Sequence, residues 1–190
     1  MTPTTIHAIN SDPTAIRPGD YIPDPLHSHV LFEVSHFGLS TYIGEFTELT
    51  GTLRLDPARF ADARLKVTVP VASVRTSSSV LDEELKGPRW LDGETYPAVT
   101  FEAVSVEPRM DGSLLVSGHL SLHGITREVA LVARFHGSGI NPVKQAYTVG
   151  FDVSGSIRRS DFGVSASLPL IGDELKLVIS VAFELQEPLA

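Results

Sequence analysis

Glu174-Leu175-Lys176-Leu177-Val178-Ile179-Ser180-Val181-Ala182-Phe183-Glu184-Leu185-Gln186 puts an apolar side chain on every odd position from 175 to 185. A period of two is the repeat of a β-strand, whose successive side chains point to opposite faces of a sheet. The even positions carry Lys, Val, Ser, Ala and Glu, so one face is uniformly apolar and the other is mixed. That is the pattern of an antiparallel strand buried on one side. Six apolar side chains in a row require a facing apolar surface of similar length, and the rest of the chain must supply it.

Working outward, the same alternation recurs seven times. Val30, Phe32, Val34 and His36 share one face of a first strand, and residues 41–55 read as a long second strand. The parity of that second strand changes midway, from Gly44 and Phe46 to Leu49, Gly51, Leu53 and Leu55, as an extra residue near Thr47 would cause. Leu65, Val67 and Val69 mark a third strand. Val99, Phe101 and Ala103 begin a fourth, with a second parity change to Val104 and Val106. Val116, Leu120 and Leu122 mark a fifth, Val129, Leu131, Ala133 and Phe135 a sixth, and Tyr147, Val149, Phe151 and Val153 a seventh. Met110-Asp111-Gly112 and His123-Gly124 read as hairpin turns, and residues 137–144 as a loop. Asp56-Pro57 starts a helical turn, while Val80, Leu81, Glu84 and Leu85 have helical spacing in a segment that Gly87-Pro88 ends.

Eight strands with one or two short helical segments cannot bury their apolar faces under a helical layer, so the sheet must cover itself. A two-sheet sandwich and a closed barrel both do this. The parity changes and the glycines at 44, 51, 118 and 155 favour closure, since bulges and glycines let a sheet bend. The expected fold is therefore all-β, an eight-stranded antiparallel barrel, a size whose interior is either filled or holds one small ligand. Residues 1–20, polar and aperiodic, read as a loosely ordered arm, and residues 21–188 as a single domain.

The inward face decides whether the interior is core or pocket. Phe32, Val34, His36, Phe46, Trp90, Phe101, Leu120, Leu131, Phe135, Phe151, Ile179 and Phe183 are the candidate lining residues, and almost none is charged. A cavity of this composition suits an apolar chain rather than a sugar or nucleotide. Arg158 and Arg159 are candidate contacts for an anionic head group, with Asp161 as an alternative partner that would fix their loop. The competing reading is a fully packed barrel whose surface meets a protein partner, a second copy of itself included.

Composition narrows the other classes. With 15 basic and 23 acidic residues the net charge is −8, which opposes binding to phosphate backbones, so no nucleic-acid partner is expected. There is no cysteine, which excludes disulfides, thiolate metal sites and cysteine nucleophiles. His27-x-His29 and His119-x3-His123 lack an acidic residue at a spacing that completes a metal site, and no metal is expected. No Gly-x-Ser-x-Gly elbow or phosphate-binding glycine loop occurs, so neither a catalytic residue nor a required cofactor is assigned. No apolar run approaches the ~20 residues of a membrane-spanning helix. Met1 to Asp20 show no basic stretch leading into an apolar run, which points to the cytoplasm. A leader removed upstream would instead place the protein in the periplasm or outside the cell.

Four segments carry a family likeness: His27 through Gly38 followed by Gly44-Glu45-Phe46 and Gly51, Tyr96 through Phe101, Gly118 through Thr126, and Ile157 through Gly163. In order and spacing they resemble the YceI-like polyisoprenoid-binding family, across residues 21–186. The resemblance implies a bacterial, lipocalin-like barrel whose pore binds, sequesters or transports a polyisoprenoid, isoprenoid quinone or fatty-acyl chain without catalysis. One segment departs from it. Where that family carries Arg-Asp-x-His-Leu, this chain has Leu81-Asp82-Glu83-Glu84-Leu85, without the Arg and the His.

Overall fold

The computed structural model describes residues 9–186. Eleven strand segments form one antiparallel sheet that closes on itself. Several segments are pieces of one bent strand, and the ring they make has eight members. Strand β1 comprises Gly19–Pro23 and His29–His36, β2 comprises Ser40–Phe46 and Thr50–Leu55, and β3 comprises Arg64–Pro70 and Val74–Arg75. The remaining strands are β4 (Ala98–Pro108), β5 (Leu114–Leu122), β6 (Ile125–Ile140), β7 (Tyr147–Arg158) and β8 (Ile171–Leu185). Each pairs with the next in sequence, and β8 closes the ring on β1.

The register shows how residues 174–186 organise the rest of the sheet. Leu175, Leu177 and Ile179 of β8 stand opposite Val34, Phe32 and Val30 of β1 on one side. On the other, Leu175, Ile179, Val181 and Phe183 stand opposite Ile157, Val153, Phe151 and Val149 of β7. Because the side-chain period is two, this pairing turns the apolar rows of three strands to one face together, and a one-residue slip would reverse them.

Both parity changes mark real interruptions. Strand β2 breaks at residues 47–49, and the β4–β5 register shifts between Ala103 and Ser105. Val104 is the extra residue of that second bulge and is 60% exposed, so it points outward rather than continuing the inner row. Two lining rings are also set by glycines. A Cβ on Gly44 would lie 2.3 Å from the ring of Phe32 directly across the ladder, and one on Gly118 would lie 2.6 Å from the ring of Phe101. Each aromatic ring therefore lies against the neighbouring strand where that strand has no side chain.

A meander of eight strands has two distinct ends. One gathers the β1–β2 and β5–β6 hairpins, residues 159–170 and the helix α1 (Ser79–Lys86), which Ser78 caps by accepting from the Leu81 N–H. The opposite end carries residues 9–18, the 3-10 turn Phe60–Asp62, and the β4–β5 and β6–β7 turns.

At that opposite end the structure corrects two sequence expectations. Residues 9–20 are not a loose arm: Asn10 exchanges backbone hydrogen bonds with Ser138 at 2.8 and 2.9 Å. Ile16 is 2% exposed within the core, Tyr21 donates to the Arg17 carbonyl, and the Arg17 guanidinium sits 4.4 Å from the centre of the Tyr147 ring. One apolar anchor and a few backbone bonds suffice, which composition does not reveal. The arm expected over residues 1–8 and the domain end at 187–188 lie outside the described residues. Second, residues 137–140 are strand rather than loop, paired with Tyr147 to Gly150, because a ladder needs only backbone groups.

An ion cluster fastens the same end. Lys144 Nζ lies 2.7 Å from Asp24 and 2.8 Å from Glu184, and His27 Nδ1 lies 2.6 Å from Asp24. Burial alone would raise the Asp24 pKa, but bonds from Lys144, His27 and the Leu26 N–H outweigh it and hold the carboxyl at about 2. A folded-state pKa below the ordinary 3.8 adds stability above about pH 4 that is lost as pH falls through about 2. Urea unfolding should therefore show Asp24→Asn less stable than the parent at pH 6, with the gap closing as pH falls from about 4 to about 2. A gap independent of pH would contradict the assignment.

Candidate functional site

The barrel is not filled. It encloses a cavity of about 630 Å³ that reaches from the α1 end into the core. All eight strands contribute side chains to its wall, and those side chains are overwhelmingly aliphatic or aromatic. Such a volume lies within the range of small-molecule sites. Phe32, Val34, His36, Phe46, Trp90, Phe101, Leu120, Leu131, Phe151, Ile179 and Phe183 all line it. Phe135 does not. It packs edge-on against Phe151, ring centres 5.8 Å apart, and faces a smaller space of about 180 Å³ at the opposite end that Pro13 also borders. The β6–β7 bulge between Gly150 and Phe151 makes His136 the extra residue of β6, just beyond Phe135.

The mouth lies at the α1 end, where wall residues also meet solvent: Phe37 is 51% exposed and Leu170 60%. The Phe37 N–H donates to the Leu170 carbonyl at 2.8 Å, tying the two rims together. Helix α1 turns Leu81, Glu84 and Leu85 to the cavity and leaves Val80 78% exposed. The helical spacing already placed these residues on one face; what the sequence does not show is that this face roofs the pore. Asp82 is buried and holds the helix by accepting from the N–H and Oγ1 of Thr76 at 2.6 and 2.8 Å. Trp90 stands beside the helix and donates from Nε1 to Glu84 Oε1 at 3.0 Å.

The two arginines separate completely. Arg158 points outward and is exposed, as strand parity requires next to the inward Ile157. Arg159 is 2% exposed, and it donates from Nε to the Gly172 carbonyl at 2.8 Å, and from Nη1 and Nη2 to those of Val164 and Ile171 at 2.9 Å. The Trp90 ring covers it, with its centre 5.3 Å from Cζ. Burial pulls its pKa below the ordinary arginine value, against the nearby Asp173 charge. Expected as possible head-group contacts, they have different surroundings: Arg158 is an exposed side chain, and Arg159, on the cavity wall, is the clamp of residues 159–172. Asp161 is not the partner either: Asp173 fixes the loop, accepting from the Ser160 N–H at 2.9 Å and from its hydroxyl at 2.7 Å.

The histidine pairs do not converge. His27 lies against Asp24, and His29 Nδ1 lies 3.8 Å from Glu45. Among the described residues no three His, Asp or Glu side chains gather where a metal could sit, and no helix is long and apolar enough to cross a membrane.

Comparison with known proteins gives this geometry a family. The model of the YceI-like domain matches residues 21–183. The chain belongs to the YceI-like family. A UPF0312 protein of Shewanella denitrificans is 32% identical over 171 residues, covering 89% of each chain. Among solved structures, BcnA of Burkholderia cenocepacia superposes with a TM-score of 0.76 at 23% identity, over 84% of this chain and 98% of its own. A polyisoprenoid-binding domain from Saccharophagus degradans, implicated in plant cell wall breakdown, gives 0.63 at 16% identity, over 90% and 100%. At those identities the two structures attest the closed barrel shared by this YceI-like chain. Within it, Leu81 and Glu84 stand where the family's Arg and His were expected, and both are on the cavity wall.

Proposed function

We propose that this protein binds one long-chain apolar lipid inside the barrel, tail in the lumen and head at the α1 end, and sequesters or carries it without chemically changing it. The observation that carries the reading is the open, apolar cavity of about 630 Å³ in an otherwise closed barrel. The barrel of the Saccharophagus degradans polyisoprenoid-binding domain is a parallel for it. A fully packed interaction module is disfavoured by the same cavity. At about 30 Å³ per water-sized group, the space takes on the order of 20 methylenes, or about four isoprene units. Burying them yields roughly 16 kcal/mol gross at about 0.8 per methylene. Immobilising the ligand costs about 4–15 kcal/mol, so micromolar affinity is the natural outcome.

Trp90 is the sole tryptophan and lines the cavity, so it reports occupancy. Titration with isoprenoid alcohols of increasing length should change its emission and saturate at one equivalent. Affinity should rise up to about 20 carbons and then level off, once the tail outgrows the lumen. No saturable change at any length would count against the proposal.

A further inference from the structure

The mouth constrains the head group more narrowly than the lumen constrains the tail. Of the described side chains on the cavity wall, Arg159 and Glu84 carry the permanent charges. The cation is committed: three carbonyls take bonds from its guanidinium and an indole covers it, so moving it toward a ligand would orphan buried acceptors. The neighbouring cations Lys86, Arg89 and Arg158 are not among the residues of that wall. Arg158 faces outward on β7, and Lys86 Nζ is paired with Glu83 at 2.8 Å. The anion is in the opposite situation. Glu84 is exposed at the rim of an apolar cavity, and the Trp90 N–H occupies one acceptor site of one carboxylate oxygen. An ionised carboxylate has about four such sites, so the rest are available to a donor arriving from the lumen.

Resting on the lipid-binding reading, we propose that the head group selected here is an uncharged or cationic hydrogen-bond donor, as in a long-chain alcohol or amine, and not a phosphate or carboxylate. A donor entering beside Glu84 gains a charge-assisted hydrogen bond. An anion entering there leaves bulk water, meets a like charge across an apolar wall and finds on that wall only the committed Arg159. Leu81 reinforces this, since its side chain fills its part of the wall without offering a donor.

The test holds the tail constant and varies the head. The Trp90 emission is titrated at pH 8 with the C20 isoprenoid alcohol, its primary amine and its monophosphate, each below its aggregation concentration. The alcohol and the amine should bind at least tenfold more tightly than the monophosphate. Glu84→Gln keeps an acceptor for the indole and removes the charge, so it should bring the phosphate to within about threefold of the alcohol and weaken the amine. A parent protein that binds the phosphate as tightly as the alcohol, or a Glu84→Gln variant with an unchanged preference, overturns the inference while leaving lipid binding intact. Failure of all three ligands to bind overturns lipid binding itself, and the inference with it.

Discussion

A Val153→Trp variant is expected to fold, to melt at a higher temperature than the parent, and to lose at least tenfold in affinity for isoprenoid tails. Val153 sits mid-barrel on β7, opposite Ala133 of β6 and Ile179 of β8, and packs against both of the apolar clusters that make up the core. Its side chain borders the cavity, so an indole there enters empty space beside a small neighbour. Enlarging a side chain in a filled core usually costs about 1–3 kcal/mol through strain. Filling a real cavity does the reverse and commonly adds about 0.5–2 kcal/mol. The sign of the stability change therefore reports whether the space is empty, and the loss of affinity reports whether the tail uses it. Differential scanning calorimetry of ligand-free protein and isothermal titration with a C20 isoprenoid alcohol measure the two. A destabilised variant that still binds normally would mean the tail lies elsewhere.

The second large effect concerns Arg159. Arg159→Met keeps most of the side-chain length but withdraws the donors serving the carbonyls of Val164, Ile171 and Gly172. Each buried acceptor left without a partner costs about 1–3 kcal/mol. The lost contact with the Trp90 face adds roughly 1 kcal/mol. Water reaching the loosened loop offsets part of the sum, so urea denaturation should show a loss of about 3 kcal/mol or more. Arg158→Met, one residue away on the outer face, should stay within about 0.5 kcal/mol of the parent. Equal effects from the two substitutions would contradict the assignment of Arg159 as the clamp of residues 159–172.

The strands were legible because each carries a period-two signal strong enough to survive local exceptions. The row from Leu175 to Leu185 and its partners in β1 and β7 needed only side-chain alternation to be found, and closure followed from having no other way to cover so many apolar faces. What escaped was set by backbone bonds and by single residues. Ile16 anchors the segment before β1 as one apolar side chain in a polar stretch, too sparse to make a pattern. The strand at residues 137–140 looks like a loop because glycine and serine pair through the backbone as well as valine does. Val104 follows its strand's alternation until a bulge turns it outward, and a bulge can be located from parity only to within a residue or two. Phe135 stays on the inner side opposite Phe151 but borders the separate smaller space at the end of the barrel.

At the site, the wall was readable from the inward row, whereas the mouth was not. The roles of Arg158 and Arg159 differ by strand parity at the very end of β7, where Arg159 leaves the ladder and turns beneath the loop. The carbonyls it meets have no sequence signature. The exchange of Arg and His for Leu81 and Glu84 was visible as a departure from the family pattern. That both face the lumen follows only once α1 is seen to roof it.

Whether the barrel carries a lipid is decided by a native mass spectrum of the protein purified from its own host, followed by denaturing extraction of whatever it holds. A mass excess of one ligand per chain is expected, released on unfolding, with an apolar tail of about 20 carbons held inside. A protein that runs at its bare mass, and stays there after incubation with isoprenoid alcohols, would contradict lipid binding.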